Sequence, residues 1–332
     1  MPSITSVNLT HLHLLLNHLP TVGSVVALGL LLLAIVRRDE PLTRAGLEVL
    51  FAIAVLTLPV YMSGVAAHLK LRDRPEISAE ISDTAMRVHQ DAAVAGFTVT
   101  EFAGFLAWVA LWQSRRRGRL SRRMVAAVLL LSTVALVFMT RAALLGGYIR
   151  HPEVAAALSA GAAQSAPGNG AQYVTTAISR FMVDSPWGWP AAESVHFLGL
   201  SLTFGVLLAV NLRILGAMRR VPFADVHRLL PWGMLGFGAN LITGMLFFIG
   251  QPRQYIDSSP FYWKIVFLMI AGANFLYLTE FKGNDPNVPN DPNDYLDWSA
   301  SPADKAMAVA SIVAWLIVLY GGRMLPFIGH AF

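Results

Sequence analysis

The stretch THLHLLLNHLPTVGSVVALGLLLLAIV, residues 10–36, carries no Lys, Arg, Asp or Glu. An α-helix rises about 1.5 Å per residue, so roughly 20 apolar residues are enough to cross a hydrocarbon core about 30 Å thick. Seven further apolar stretches follow, at residues 46–69, 89–112, 124–147, 190–214, 230–250, 262–280 and 304–325. Of the 332 residues, 55% are hydrophobic and only 14% are charged. The sequence therefore predicts an all-α polytopic membrane protein with about eight transmembrane helices, surrounded by lipid.

The composition also excludes several kinds of chemistry. The chain has no cysteine, so disulfides, thiolate-bound iron–sulfur clusters and covalently attached c-type haem are excluded. No glycine-rich phosphate loop and no His-Glu-x-x-His motif occurs, which leaves nucleotide and hydrolase chemistry without support. No Lys or Arg precedes the first apolar run, so we expect no cleaved signal peptide and a first segment that stays in the mature protein.

The distribution of charge predicts how the chain is oriented. Residues 115–123, RRRGRLSRR, hold six arginines between two apolar stretches, and basic loops of this kind remain in the cytoplasm. Applied to every loop, the rule predicts a multi-pass protein of the bacterial inner membrane with both termini in the periplasm. The pI near 9.7 follows from these anchoring arginines, so we expect no nucleic-acid partner.

The longest loop divides the chain into two halves. We predict a four-helix membrane domain at residues 1–155, a periplasmic connecting loop at 156–189 and a second four-helix membrane domain at 190–332. Because each half crosses the membrane an even number of times, the two four-helix bundles are predicted to be parallel. With this topology, eight of the nine histidines fall near the outer face.

Four of these histidines end or begin the first four helices and share one depth. A four-helix bundle can hold a porphyrin between two imidazoles, so we predict a non-covalent b-type haem in the first half. Its candidate iron ligands are His18, His68, His89 and His151. A copper or zinc site is the alternative, because imidazole suits both metals; a further alternative is four interfacial histidines without a ligand. Pro20 favours a membrane helix that starts at Asn17 or His18. His11 is then a second-choice ligand, and His13 is expected at the surface.

Two arginines are candidate partners for the haem propionates. Arg141 is predicted about two turns inside the outer end of the fourth segment, and Arg150 precedes His151. Guanidinium groups form forked, charge-assisted hydrogen bonds with carboxylates. The alternative partners are Asp91 and Glu153. Close backbone approach to a helix or to a flat cofactor is expected at residues 146–147, which are both glycine.

Two glutamates are candidates for proton or quinone chemistry. Glu101 follows His89 by twelve residues, roughly 18 Å deeper in the membrane, and an intramembrane carboxyl indicates function by default. A bond to a neighbouring threonine is the alternative. Glu193 and His196 form a Glu-x-x-His pair on one helix face, so His196 is predicted to bind haem or a quinone oxygen while Glu193 orients its ring.

Parts of the sequence resemble known bacterial membrane families. Residues 8–155, with His18-Leu19-Pro20 and Gly146-Gly147 before His151, resemble an uncharacterised four-helix membrane domain family. Residues 187–326, with ESVHFLGLSLTFGVLLAVNLRILG and a terminal GGR, resemble a second uncharacterised membrane family. Both are similar in layout to cytochrome b-type bundles, which implies a haem-binding fold.

These observations lead to one functional hypothesis and two alternatives. The hypothesis is a b-type haem protein that transfers electrons near the periplasmic face, as a component of an oxidoreductase, with quinone or a periplasmic redox protein as its partner. The first alternative is a non-catalytic anchor or assembly subunit of a larger membrane complex. The second is a metal-ion or small-solute carrier in which Glu101 couples transport to protons.

Overall fold

The computed structural model describes residues 9–73, 83–150, 173–280 and 300–328. In these ranges the chain forms twelve helices and no strand. They are α1 (Leu9–Leu16), α2 (His18–Arg37), α3 (Glu40–Arg72), α4 (Asp83–Arg117), α5 (Arg122–Arg150), α6 (Val174–Asp184), α7 (Gly188–Leu215), α8 (Phe223–His227), α9 (Leu230–Gly250), α10 (Pro252–Ile256), α11 (Ser259–Glu280) and α12 (Pro302–Ile328).

Eight candidate membrane spans, in the described residues, are long and apolar enough to cross a bilayer. They coincide with the eight predicted stretches, so the prediction of an all-α polytopic membrane protein is confirmed. Helix α6 lies within the segment predicted as a connecting loop. The chain divides into two compact units, residues 1–177 and 178–332.

The helices begin and end where local chemistry favours it. Helix α2 starts at His18, so Pro20 falls in its first turn, where proline is tolerated because that N–H has no intrahelical partner. Arg38 then adopts a left-handed conformation with φ 53°, which ends the helix. Asp39 caps α3 by accepting a hydrogen bond from the Leu42 N–H at 2.9 Å. Two membrane helices are thereby joined by a turn of only two residues, Arg38 and Asp39.

The first unit is a closed ring of four long helices. Each of α2, α3, α4 and α5 packs on the next, and α2 also contacts α5. The core towards the arginine-rich end is formed mainly by Ala and Leu from all four helices. Gly104 on α4 lies directly against Ala54 on α3, leaving no room for a side chain. Small residues let helix backbones approach closely in lipid, where packing replaces the hydrophobic effect as the cause of association. The short α1 extends this ring by packing on α3.

The second unit is built from two helix pairs, α7 with α9 and α11 with α12, and α7 also packs on α12. Helices α7 and α9 approach each other closely, so a β-carbon at Gly199 would lie 2.8 Å from the Gly236 carbonyl oxygen. Thr203 fills the space beside these glycines and donates a hydrogen bond to the Gly199 carbonyl at 2.9 Å. Phe275 on α11 packs against Gly233 of α9, which connects the two pairs.

Candidate functional site

Three histidines lie towards the predicted outer end of the first unit: His13 on α1, His68 on α3 and His89 on α4. His89 lies within electrostatic range of His13, and His68 lies within electrostatic range of His89. All three rings are partly buried. Histidines are therefore found together at this depth, as predicted, but the group contains His13, which was not among the predicted ligands. We call His13, His68 and His89 the histidine cluster.

The expectation that His13 lies at the surface is wrong. Helix α1 packs against α3, and the His13 ring lies over Gly64, where a β-carbon would be only 2.8 Å from the ring. The His13 Nδ1 donates a hydrogen bond to the Val60 carbonyl oxygen at 3.1 Å. The sequence placed His13 correctly on α1, but the face of α1 that packs depends on α3, whose residues lie nearly fifty positions later in the chain.

His89 is held in the same way by a different helix, α5. Its Nδ1 donates to the Ala142 carbonyl oxygen at 2.9 Å, and its ring lies over Gly146 of α5. A β-carbon at Gly146 would lie 3.1 Å from the His89 Cε1. The neighbour of Gly146 is thus a side chain and not the helix backbone or flat cofactor that was expected there, and Gly147 has no neighbour within 4 Å of its would-be β-carbon.

These two hydrogen bonds determine the tautomers. A backbone carbonyl only accepts, so Nδ1 carries the hydrogen in His13 and in His89, and the Nε2 lone pair stays available. Such an Nδ1–H bond to a carbonyl is the usual support for an imidazole that binds a metal through Nε2. The arrangement can thus supply two neutral imidazole ligands, oriented by α3 and α5, near one end of the bundle.

His68 differs because its Nδ1 is buried without a hydrogen-bond partner in the described residues. A buried polar nitrogen of this kind costs free energy unless something satisfies it. Three charged groups act on His68, those of Arg72, Asp83 and Arg87. The guanidinium group of Arg87 also lies 5.9 Å from the Tyr173 ring centroid. The cations that act on His68 are therefore Arg72 and Arg87, neither of which the sequence pattern indicated.

The other predicted ligands and arginines lie elsewhere. His18 and Arg141 are exposed in the described part of the chain, and neither joins the cluster. His151 and the side chains of His11 and Arg150 lie outside the described residues. No group of three or more His, Cys, Asp or Glu side chains in the described ranges could hold a metal ion, so the copper or zinc alternative gains no support.

Asp91 has a structural role that the sequence did not indicate. Its carboxylate accepts hydrogen bonds from the Val174 N–H at 2.8 Å, the Thr175 N–H at 3.0 Å and the Thr175 hydroxyl at 2.7 Å. It therefore caps the first turn of α6, where a negative charge is favoured by the helix dipole. The alternative pairing of Arg141 with Asp91 is not found, because the two oxygens of this carboxylate are occupied by α6.

Glu101 lies within the middle of the α4 span, as predicted. Its Oε1 is buried and has no hydrogen-bond partner among the described residues. The Thr100 hydroxyl beside it in sequence is also buried without a partner. The alternative in which a neighbouring threonine satisfies Glu101 is therefore not observed at this oxygen.

The second unit contains a separate polar group around His196 on α7. The His196 Nδ1 lies 2.7 Å from the Thr243 hydroxyl, which itself donates to the Ala239 carbonyl at 2.8 Å. With the hydroxyl hydrogen on the Ala239 carbonyl, Nδ1 donates to the hydroxyl oxygen and Nε2 carries the lone pair. The residue that orients His196 is thus Thr243 and not Glu193, which is exposed. Asn240 also fixes this segment, since its amide donates to the His196 carbonyl at 2.7 Å.

Lys264 on α11 lies within electrostatic range of His196. Its stem packs along two glycines of α12, and a β-carbon at Gly322 would lie 3.3 Å from the Lys264 Nζ. Near the same end, the Tyr255 side chain in the turn before α11 is buried beside the charge of Glu193, and both factors raise the pKa of its hydroxyl. Lys264 of α11 is therefore in contact with a second helix, α12.

Sequence reasoning missed His13, Thr243 and the packing of Lys264 for a common reason. Each depends on which helix lies opposite, and helical periodicity in one segment does not contain this information. A partial signal existed in the glycines, since Gly64, Gly146 and residues 321–322 each lie opposite a polar side chain.

The chain matches no protein-family model, no curated protein and no solved structure.

Proposed function

We propose that the first unit is a b-type haem module that transfers electrons. The observation that carries this proposal is the pair His13 and His89, each with Nδ1 bonded to a backbone carbonyl of a neighbouring helix and with Nε2 available. Two preoriented neutral imidazoles from different helices of one bundle are the ligands that a b-type haem requires. The absence of cysteine restricts the attachment to non-covalent ligation.

The residues present fit such a group in their donor chemistry. His89 is the shared member of the cluster, since both His13 and His68 lie within electrostatic range of it. His13 and His89 would supply the axial nitrogens, and the carbonyls of Val60 and Ala142 would hold their rings in place. Haem also carries two propionate carboxylates, and the Arg72 and Arg87 charges near His68 would neutralise these.

Ligation by two imidazoles favours electron transfer over oxygen chemistry. A haem held by His13 and His89 would supply single-electron transfer, and these two residues would leave no ligand position for a substrate. The residues of this chain would then set the potential through burial and through the two cations beside the ring. Quinone or a periplasmic redox protein would be the electron partner in the predicted topology, and the bacterial inner membrane its location.

A reduced-minus-oxidised absorption spectrum of the purified protein tests the proposal. Wild-type protein expressed with full haem supply should show the Soret and α bands of a bis-imidazole haem. His13→Ala and His89→Ala should each lose these bands, whereas His18→Ala should keep them because its ring is exposed. Colourless wild-type protein would refute the haem assignment. Retention in both His13→Ala and His89→Ala, with loss in His18→Ala, would instead support the ligand that the sequence favoured.

A second candidate function is a proton-coupled carrier, and the buried carboxyl of Glu101 favours it. An unpartnered carboxyl inside a membrane span is a typical element of a proton relay. This candidate predicts solute- or metal-dependent proton uptake by reconstituted vesicles, and the loss of that uptake in Glu101→Gln. Under the haem proposal, Glu101→Gln keeps its absorption bands and vesicles show no such uptake, so the two functions are distinguished by one variant.

A further inference from the structure

The second unit has an unpaired cation within a membrane span. Lys264 is the sixth residue of α11, and its side chain is partly buried among α11, α12 and the His196 region. In the described part of the chain, its amine forms no ion pair and no hydrogen bond. Lys264 lies within the candidate membrane span Ser259–Glu280. A positive charge in this position is costly unless an anion compensates it.

The position of the amine is determined by the neighbouring helix. Residues 321 and 322 of α12 are both glycine, and their missing side chains leave the space that the Lys264 stem occupies. At Gly321 a β-carbon would lie 3.3 Å from the Lys264 Cβ, and at Gly322 it would lie 3.3 Å from Nζ. The lysine is therefore lodged against α12 and is not a freely extended side chain.

A hydrogen-bond acceptor lies near this cation. The Thr243 hydroxyl holds Nδ1 of His196 as the donor, so the Nε2 lone pair of His196 faces its surroundings as an acceptor. Lys264 lies within electrostatic range of this ring. The pair thus offers three strong N–H donors on a cation and one neutral acceptor. A matching ligand carries an oxyanion together with a hydroxyl group.

Apolar side chains next to Lys264 and His196 in the chain are exposed within candidate membrane spans. Tyr262 and Trp263 precede Lys264 on α11 and are exposed, as are Phe197 and Leu198 beside His196. Aromatic and aliphatic side chains of this kind are favoured at the level where acyl chains meet headgroups. A ligand that reaches the amine across this surface is an amphiphile with an acyl tail.

We infer that Lys264 and His196 form a binding site for the headgroup of an anionic phospholipid that carries a hydroxyl. The ammonium of Lys264 binds the phosphodiester oxygen, and the Nε2 of His196 accepts a hydrogen bond from the headgroup hydroxyl. A neutral quinone carbonyl would accept from the ammonium but leave its charge uncompensated. The negative charge of a phosphodiester compensates the positive charge of the Lys264 ammonium.

Native mass spectrometry of the delipidated full-length protein tests this site. The probes are phosphatidylglycerol, phosphatidylmethanol, which has the anion but no headgroup hydroxyl, and phosphatidylcholine. Wild-type protein should bind phosphatidylglycerol roughly tenfold or more tightly than phosphatidylcholine, the ratio expected for one hydrogen bond to a charged group. Lys264→Gln should lose this preference and Lys264→Arg should keep it. The matched control is Lys305→Gln, which removes an equal charge from the same unit and should leave the preference unchanged.

Two further arms separate the parts of the proposal. The preference for phosphatidylglycerol over phosphatidylmethanol should disappear in His196→Phe, which removes the acceptor. Gly322→Val introduces a branched side chain whose β-carbon would lie 3.3 Å from the Lys264 Nζ, so it should displace the amine and reproduce the Lys264→Gln loss; the proposal then remains testable if Lys264→Gln does not fold. The inference would be overturned if His196→Phe and Gly322→Val both kept the lipid preferences of the wild type. Full competition by millimolar inorganic phosphate, or an equal loss in Lys305→Gln, would overturn the assignment to a lipid headgroup.

Discussion

Adjacent glycines at 146 and 147 of α5 provide a direct test of how His89 is held. Gly146→Ala would place a methyl group 3.5 Å from the Nδ1 of His89 and 3.1 Å from its Cε1, and the second distance is shorter than an ordinary van der Waals contact. The ring cannot retreat freely, because its Nδ1 is bonded to the Ala142 carbonyl at 2.9 Å. Gly147→Ala meets nothing within 4 Å. The two substitutions are chemically identical and differ only in this contact.

The expected magnitude follows from that comparison. Replacing glycine by alanine inside a helix stabilises by about 0.5–1 kcal/mol at either position. Crowding of a packed site costs about 1–3 kcal/mol, and a weakened hydrogen bond is part of that cost. The stabilisation from replacing glycine by alanine is the same at both positions and cancels in the difference. Gly147→Ala should therefore be more stable than Gly146→Ala by about 1–2 kcal/mol. This is the lower part of the range for crowding, because the His89 ring can shift slightly. Unfolding in mixed micelles with increasing SDS, followed by circular dichroism, measures the difference.

A matched result would refute the reasoning. If both variants unfold at the same SDS fraction, the His89 ring is not packed on Gly146 and the proposed ligand has no fixed orientation. A double variant of Gly146→Ala with His89→Ala supplies the control. In the His89→Ala background the ring is absent, so Gly146→Ala should no longer be destabilising. Its effect, measured relative to His89→Ala alone, should equal the effect of Gly147→Ala on the wild type.

Two other perturbations give independent expectations. Gly104→Ala should destabilise the first unit by about 1–3 kcal/mol, because the new methyl group overlaps Ala54, whereas Gly29→Ala, with nothing within 4 Å, should be neutral or slightly stabilising in the same SDS titration. Burial and the charge of Glu193 raise the pKa of Tyr255 above the value near 10 of an exposed tyrosine. The folded protein therefore holds this proton more tightly than the unfolded chain, so its contribution to stability is complete below about pH 10 and is lost as the pH rises through the folded-state pKa. Tyr255→Phe should show a smaller decrease in the unfolding midpoint than wild type between about pH 9 and 11, and an unchanged decrease would mean that the hydroxyl is not buried.

The candidate site could be predicted only in part. Eight histidines fall near one face in the predicted topology, because loop charges and segment lengths are both local properties of the chain. The sequence also placed Glu101 deep in its span and expected a close approach at Gly146. It selected His18 and expected His13 at the surface, and the structure places the two rings in the reverse environments. It assigned the orientation of His196 to Glu193, one turn away on the same helix, when the partner is Thr243 on another helix.

The sequence alone determined that this is a polytopic helical membrane protein, because a segment that crosses lipid must satisfy its own backbone hydrogen bonds and remain apolar along about 20 residues. That requirement acts on each segment separately and leaves a signal in each. Only the tertiary structure decided which face of α1 turns inward, which carbonyl holds each imidazole and which helix lies against Lys264. These outcomes depend on contacts between side chains far apart in the chain, where glycines open space and polar atoms find partners across a helix interface.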